Sequence, residues 1–374
     1  MLMSAYGDAL GADHETTRSI HPAPFPERLP LQTLEPQPDR WGYWGTTAEL
    51  GPTARGVTTD DTAFKLFLLH PWLQQVLAGN SRLGEPAFIQ FLGELKLTTP
   101  EPDWIGMPRN AQIDSWLDMY RASEVPKESE FFSPDVPIVF GFFLFQELAA
   151  IRTQYKPVEN YRFFRSVTVL DQGYASTATG FLIAITSLAF SSNPLDPSKR
   201  FDLWLVDQSN DLIDQLLKTH VDRDAVTIIQ RIVNTMSKLG ERLCGESPHD
   251  FMVAFEETVL APPSPPFMSE PFKRPVHDPF RMFAEIFAAV SYAEGDPFRA
   301  IRALAFGSGD SDTVCAFLGT LQGIWFGEQL LRRNSNLNED FDIVENVLNS
   351  TFKVDLNQHV EIFLNLQYAP NVIA

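Results

Sequence analysis

A short acidic segment lies directly ahead of an apolar stretch in the first quarter of the chain. Residues 58–62 read Thr-Thr-Asp-Asp-Thr, and Phe64, Phe67 and Leu68 follow. Capping of a helix start explains one aspartate, because a carboxylate there accepts hydrogen bonds from free N–H groups. It explains two adjacent aspartates poorly, since neighbouring side chains on a helix point about 100° apart. Two carboxylates beside threonine hydroxyls also suit a hard divalent cation, so cation binding and capping both stay open.

A second acidic segment follows a glycine-rich turn near the C-terminal end. Residues 306–313 read Phe-Gly-Ser-Gly-Asp-Ser-Asp-Thr. The glycines allow tight backbone turns, so Asp310 and Asp312 can face a common point. The calcium-loop pattern D-x-[DN]-x-[DN]-G with its later glutamate is absent.

Glycines at intervals of four residues mark two segments that are expected to pack closely as helices. One is Gly7-Asp8-Ala9-Leu10-Gly11, which Glu15 follows, and the other carries Gly319, Gly323 and Gly327 directly after the second acidic segment. On its own, the first segment is best explained as a packed helix with a solvated terminal glutamate.

In this order the motifs resemble those of the ADP-ribosylglycohydrolase family. That family includes the ADP-ribosyl-arginine and ADP-ribosyl-serine hydrolases and the glycohydrolase that reactivates dinitrogenase reductase. Its G-D-x-x-G helix with a glutamate four residues later matches Gly7, Asp8, Gly11 and Glu15. Its T-D-D-T element matches residues 59–62, and its G-G-D-[TS]-D-T loop matches residues 309–313 with Ser308 in place of the first glycine.

The resemblance implies an all-α fold, a compact orthogonal multi-helix bundle, with two Mg²⁺ ions in a cleft and Mn²⁺ as an alternative ion. The metal ligands that it implies are Thr59, Asp60, Asp61, Asp310, Asp312 and Thr313. The catalytic residues that it implies are Glu15, Asp61 and Asp310. Backbone N–H groups at Gly307 and Gly309 are candidates for binding the pyrophosphate of ADP-ribose.

The expected activity is magnesium-dependent hydrolysis of the glycosidic bond of an ADP-ribosyl group attached to a protein side chain or a small molecule. Many family members carry a mid-chain N-G-x-x-M-R element, whereas residues 171–177 here read Asp-Gln-Gly-Tyr-Ala-Ser-Thr. The resemblance is therefore to a divergent branch of the family, and it does not select an arginine or a serine linkage. Two alternatives are an inactive protein that binds ADP-ribose and a hydrolase of another N- or O-glycoside such as a nucleoside.

Proline spacing divides the chain into helical segments and long loops. Of the 28 prolines, most lie in residues 17–58, 100–137 and 260–279, which we predict to be loop insertions in a single domain, 1–374. Pro279 and Pro297 each follow an aspartate and suit the first turn of a helix. Apolar spacing predicts helices at residues 62–79, 142–154, 175–190, 209–243, 278–293 and 312–333.

Composition narrows the possible partners and the compartment. The 374 residues carry a net charge of −19, which argues against a nucleic-acid surface. The apolar runs at residues 138–145 and 180–190 are shorter than the roughly 18 residues of a bilayer span, so both are predicted core segments. Two cysteines make no disulfide framework, and Cys315 beside carboxylates is an unfavourable nucleophile. We therefore expect a cytoplasmic monomer that binds no membrane and no nucleic acid.

Overall fold

Helices form most of the chain that the computed structural model describes. The predicted all-α class is confirmed, while the specific bundle type of the family stays a prediction. The structure describes residues 1–12, 33–34, 54–56, 58–59, 61–62, 65–83, 87, 90–91, 146–167, 171, 174–192, 199–260, 278–307, 310–333, 335–352 and 356–367.

The α-helices are α1 (Leu2–Gly11), α2 (His70–Leu77), α3 (Pro157–Val167), α4 (Tyr174–Ser191), α5 (Phe201–Thr219), α6 (Arg223–Leu243), α7 (Pro248–Leu260), α8 (Pro279–Tyr292), α9 (Pro297–Ala305), α10 (Ser311–Leu331), α11 (Ser335–Phe352) and α12 (Leu356–Gln367). A π-helical turn, Lys65–Leu69, leads into α2, and a 3₁₀ segment, Gln146–Arg152, precedes α3. Strands β1 (Thr33–Leu34) and β2 (Ala54–Arg55) pair antiparallel. Of the described helices, α4, α8 and α10 contribute the most buried apolar side chains to the core.

Both predicted proline starts are confirmed by their capping geometry. Pro279 and Pro297 occupy the first turns of α8 and α9, where the missing proline N–H does no harm. The preceding residues, Asp278 and Asp296, each accept hydrogen bonds from the two N–H groups that follow the proline. Short-range sequence order is enough to specify these two helix starts.

The helix predicted at residues 209–243 is instead two helices, α5 and α6. The chain breaks at His220 and Asp222, whose φ angles of 57° and 50° lie in the left-handed region. The Asp222 carboxylate accepts hydrogen bonds from the Tyr161 hydroxyl at 2.5 Å and from Arg165 Nη2 at 2.9 Å. Contacts with α3 thus hold a conformation that apolar spacing along one helix does not reveal.

Helices α1 and α10 run antiparallel at very short distance. A Cβ atom on Gly7 would lie 2.2 Å from the Cys315 carbonyl oxygen, and one on Gly11 would lie 2.4 Å from the Ser311 carbonyl oxygen. On the facing helix, a Cβ atom on Gly319 would lie 2.3 Å from the Met3 carbonyl oxygen. Real Cβ atoms do not approach backbone that closely, so the predicted close packing at these glycines is confirmed.

The third glycine of the α10 series has a different role from the predicted one. Gly323 still faces α1, since its Cβ would lie 3.1 Å from Met3 Cβ. Gly327 instead has φ 68° and ψ 155°, which interrupts the helical backbone. Glycine accepts this positive φ at no steric cost, so a kink takes the place of continued close packing.

Gly7→Ala is expected to lower the free energy of unfolding by about 1 to 3 kcal/mol, the usual cost of overpacking a rigid interior. The loss has to exceed the roughly 1 kcal/mol by which alanine favours a helix over glycine. Chemical denaturation in urea measures the change. The matched control is Gly245→Ala, because nothing lies within 4 Å of a Cβ there, and its effect is expected within about 0.5 kcal/mol. Equal stability of the two variants would contradict the close approach.

Helix α4 covers the predicted core segment at residues 180–190. Among the described residues it is the one helix that is long and apolar enough to cross a membrane, with 18 residues and a mean hydropathy of 1.3. Within the protein, 78% of that stretch is buried. The other predicted core segment, 138–145, lies outside the described residues, as do most of the three predicted loop insertions.

Candidate functional site

The N-terminal motif and the first acidic segment are joined by one buried carboxylate. Asp8 lies on α1 and is fully buried. Its Oδ1 accepts the Thr59 N–H at 2.8 Å, and its Oδ2 accepts the Thr62 N–H at 3.1 Å and the Thr62 hydroxyl at 2.5 Å. Burial raises the pKa of Asp8, and the hydrogen bonds from Thr62 and Thr59 oppose that rise. Asp8 therefore holds the backbone of the acidic segment in place.

The N-terminal motif also contacts the second acidic segment. The Ser311 hydroxyl donates to the Gly11 carbonyl oxygen at 2.8 Å, at the point where α10 begins. Because Gly11 has no side chain, the start of α10 lies directly against the end of α1. The three motifs thus meet at one end of the α1–α10 pair.

Five of the predicted metal ligands lie in the described part of the chain, and all five are buried. Their exposed fractions are 0% for Thr59, 2% for Asp61, 7% for Asp310, 2% for Asp312 and 6% for Thr313. The sixth, Asp60, lies outside the described residues, as do Glu15 and Gly309. Burial of three carboxylates is costly unless cations or hydrogen-bond donors compensate their charge.

Within this region two hydrogen bonds tie the acidic residues to their neighbours. The Asp61 N–H donates to Thr59 Oγ1 at 3.4 Å, and the Thr313 N–H donates to Asp312 Oδ1 at 2.9 Å. Both side chains that accept these bonds are predicted metal ligands. Local backbone N–H groups therefore orient Thr59 and Asp312.

The pKa of the Cys315 thiol depends on its burial and on the carboxylates around the site. Its thiol is fully buried on α10, and burial is the largest cause that raises its pKa well above the ordinary value. The carboxylates of Glu285, Asp8 and Asp61 raise it further, in that order. The sequence predicts this effect from the neighbouring carboxylates, whereas desolvation is the larger cause. The protonated thiol is a poor nucleophile, as expected.

Glu285 is an acidic residue of this region that belongs to none of the three sequence motifs. It lies on α8 with 3% of its surface exposed, and its Oε1 accepts a hydrogen bond from Arg281 Nε at 3.0 Å. Burial raises the pKa of Glu285 to about 8, against the opposing Arg281, and the charges of Glu256 and Asp310 add to the rise. Its signal in the sequence is a lone glutamate in the apolar run Phe-Ala-Glu-Ile-Phe.

The raised pKa of Glu285 predicts a pH dependence of stability. Its ordinary pKa is 4.5, so between pH 4.5 and about 8 the folded chain holds a proton that the unfolded chain releases. The resulting stabilisation is complete below pH 4.5 and is lost as pH rises through 8, by at most about 1.4 kcal/mol per pH unit. Glu285→Gln should flatten this part of the stability profile, as measured by urea denaturation from pH 5 to 8. An unchanged slope would show that Glu285 is ionised throughout that range.

The donor chemistry of the site fits a hard divalent cation better than a soft one. Buried carboxylate and hydroxyl oxygens are the ligands that Mg²⁺ prefers. Among the residues that the structure describes, no group of three or more His, Cys, Asp or Glu side chains is placed to hold a metal ion. Asp60 lies outside the described residues, and the threonine hydroxyls are donors of a different kind from these four side chains. The described residues therefore provide oxygen donors of the kind that Mg²⁺ prefers, and they include five of the six predicted metal ligands.

The predicted phosphate-binding role of Gly307 finds no support in its geometry. Its N–H donates to the Leu304 carbonyl oxygen at 2.9 Å and closes the last turn of α9. Gly307 is also packed tightly, since a Cβ there would lie 2.7 Å from Met252 Cε. This glycine allows close packing against α7, and its N–H already has an acceptor within the protein.

No protein-family model matches the chain, and a search of the curated proteins likewise finds no match.

Proposed function

We propose that the protein is a magnesium-dependent hydrolase that cleaves the glycosidic bond of an ADP-ribosyl group attached to a protein side chain or a small molecule. The observation that supports this most is the contact between three motif segments that are far apart in sequence. Asp8 binds Thr59 and Thr62, and Ser311 binds Gly11, so both acidic segments lie against the same end of α1.

In this proposal the metal ligands come from the two acidic segments. Thr59, Asp60 and Asp61 on one side, with Asp310, Asp312 and Thr313 on the other, would hold two Mg²⁺ ions or two Mn²⁺ ions. When bound, such ions supply positive charge that orients ribose hydroxyls and activates water. They also offset the buried negative charge of Asp61, Asp310 and Asp312.

The remaining proposed roles, in positioning and in catalysis, belong to side chains of the protein. Asp8 is a positioning residue, because it contacts the acidic segment through backbone and hydroxyl groups of Thr59 and Thr62. Asp61 and Asp310 are proposed to accept a hydrogen bond from the attacking water. Glu15 is proposed to take up the proton of that water, whose oxygen bonds to the anomeric carbon as the bond to the leaving group breaks. The leaving nitrogen or oxygen keeps the bonding electron pair and takes a proton from solvent water.

Composition, rather than the motifs, suggests where the protein acts. A protein of net charge −19 with two cysteines is proposed to act in the cytoplasm as a monomer, on ADP-ribose or an ADP-ribosylated substrate. Binding of nucleic acid or membrane is not proposed.

The decisive experiment combines binding with turnover. Calorimetric titration with Mg²⁺ and then with ADP-ribose should show metal-dependent affinity. Release of ADP-ribose is then measured from arginine-linked and serine-linked model substrates. Tight binding without release from either substrate would favour a non-catalytic ADP-ribose binder. A lack of affinity for ADP-ribose would favour a hydrolase of another glycoside, and nucleosides are then the substrates to try.

A further inference from the structure

A pair of buried histidines joins α12 to α2. His70 is the first residue of α2 and is 6% exposed, whereas His359 lies on α12 and is 1% exposed. Their Nδ1 atoms lie 3.0 Å apart. The ring centroids are 5.3 Å apart with 14° between the ring planes, so the two rings meet edge to edge in nearly one plane. This is the geometry of a single hydrogen bond between two imidazoles.

A hydrogen bond between two Nδ1 atoms needs one ring that donates and one that accepts. Two neutral imidazoles can form it in either direction, because each has one donor nitrogen and one acceptor nitrogen. The side-chain amide of Gln74 lies 3.0 Å from His70 Nε2 and can present its nitrogen or its oxygen there, so it suits both directions. A first proton on the pair leaves the bond intact but charges a buried ring. A second proton turns the acceptor into a donor and breaks the bond.

The surroundings of the pair oppose both protons. Burial is the main cause that lowers the pKa of each ring. Three neighbours lower the pKa of His359 further, namely the His70 ring, the Met1 amino group and the Lys65 ammonium. On the 3₁₀ segment against which α12 packs, Glu147 Oε1 lies 3.2 Å from Lys65 Nζ, so a cation already pairs with that carboxylate.

Two other carboxylates lie near α12, and neither compensates a charge on the pair. Glu345 lies on α11 with 40% of its side chain exposed, and its Oε2 is 3.3 Å from Arg332 Nη2. Glu361 lies on α12 itself and is exposed. Within the described part of the chain, no carboxylate is hydrogen-bonded to either ring. A charged ring would therefore be a buried ion without a partner, which is costly.

Helix α12 also forms one wall of a cavity of about 510 Å³. His359 and Phe363 of α12 line this cavity, with their ring centroids 5.0 Å apart. Met3 of α1, Ile324 of α10 and Phe341 of α11 line it as well. If α12 moved away from α2, these apolar side chains would become accessible to solvent.

We propose that the His70–His359 pair is an acid-sensitive contact, which holds α12 on α2 while both rings are neutral and releases α12 when the rings are protonated. Release would open the cavity and expose its apolar wall. The inference uses none of the residues assigned to the candidate site, so it does not depend on the proposed function.

The direction of the pH dependence follows from the lowered pKa of both rings. Once water reaches them, each ring regains its ordinary pKa of 6.5, so below that pH the open form binds protons that the closed form lacks. The closed form is therefore fully favoured above about pH 6.5 and loses stability as the pH falls. Each ring that gains a proton on opening raises the opening constant by up to about tenfold per pH unit.

Hydrogen exchange of the full chain, followed by mass spectrometry and corrected for the pH dependence of the chemical exchange rate, measures the opening constant of α12. From pH 6 to pH 5 this constant is expected to rise more than tenfold, because two rings take up protons. At pH 5 it should exceed the opening constant of α8. Equal opening constants for α12 and α8 would mean that α12 opens only with the whole protein, which would overturn the proposal. So would an opening constant that does not change with pH.

Substitution of both histidines tests whether the pair causes the response. Asparagine keeps a donor and an acceptor close to the position of Nδ1 but has no titratable group. The double variant His70→Asn with His359→Asn should show no change in α12 opening from pH 6 to pH 5. The matched control is His220→Asn, because His220 is exposed and has a φ of 57°, which asparagine tolerates. It should keep the full response.

A thermal melt verifies that each variant is folded. If the double variant does not fold, the His70→Asn and His359→Asn variants are measured singly. Each retains one titratable ring, so its response should not exceed about tenfold per pH unit. A response as steep as that of the unaltered chain, in the double variant or in both single variants, would overturn the role of the pair.

Discussion

Asp312→Ala is expected to reduce magnesium-dependent release of ADP-ribose by roughly 100-fold or more. Even an outer partner of a metal ligand is worth about 10- to 100-fold in metal affinity or activity, and Asp312 is proposed as a ligand itself. Its side chain is 2% exposed and accepts the Thr313 N–H, so its direction is set by the first turn of α10. Turnover is measured on the better of the two model substrates over a range of Mg²⁺ concentrations.

Two further variants distinguish loss of the metal site from two other effects, the removal of one negative charge and the loss of the folded structure. Asp214→Ala removes a carboxylate from the exposed face of α5 and should leave turnover and Mg²⁺ affinity unchanged. Asp312→Asn keeps the shape and one carbonyl oxygen, so it should retain the melting temperature while it loses most Mg²⁺ affinity. Full turnover in the Asp312→Ala variant would overturn the proposed metal site.

Asp8→Ala is expected to lower the free energy of unfolding by about 3 to 5 kcal/mol. The substitution leaves the Thr59 N–H, the Thr62 N–H and the Thr62 hydroxyl buried without their acceptor. Each such group costs about 1 to 3 kcal/mol, and relaxation of the segment offsets part of the sum. Urea denaturation measures the loss, with Asp214→Ala as the control for removal of an exposed carboxylate.

The corresponding amide gives a sharper test of the role of Asp8. Asp8→Asn keeps one oxygen that can accept from Thr59 or Thr62 but replaces the other with a donor. Its loss of stability should therefore fall between that of the alanine variant and zero. If Asp8→Ala were as stable as the unaltered chain, Asp8 would not be holding the acidic segment.

Several local features could be predicted because their causes lie within a few residues. Asp278 and Asp296 cap helices whose first residue is a proline, and each carboxylate accepts from N–H groups only two and three residues further along the chain. The glycine spacing at residues 7, 11 and 319 predicted close helix packing, and the structure has it. Gly327 follows the same spacing yet forms a kink, so spacing alone does not distinguish packing from a bend.

The roles of several buried polar side chains could not be predicted, since their partners are distant in sequence. The sequence places Asp8 in the G-D-x-x-G motif but gives it no role of its own, and its partner Thr59 lies 51 residues away. Glu285 reads as one charge in an apolar helix until burial and Asp310 raise its pKa. The His70–His359 pair joins positions 289 residues apart, so no short spacing in the sequence marks it.

The sequence by itself determined the all-α class and the helix starts at Pro279 and Pro297. It also determined the glycine-lined faces along which α1 and α10 pack. These follow from short-range sterics and hydrogen bonding, which act between neighbouring residues. Only the tertiary structure decided that Asp8 holds the first acidic segment and that Ser311 docks on Gly11 across 300 residues. Such contacts are selected by burial, because a polar group removed from water must find its partner wherever the fold brings one.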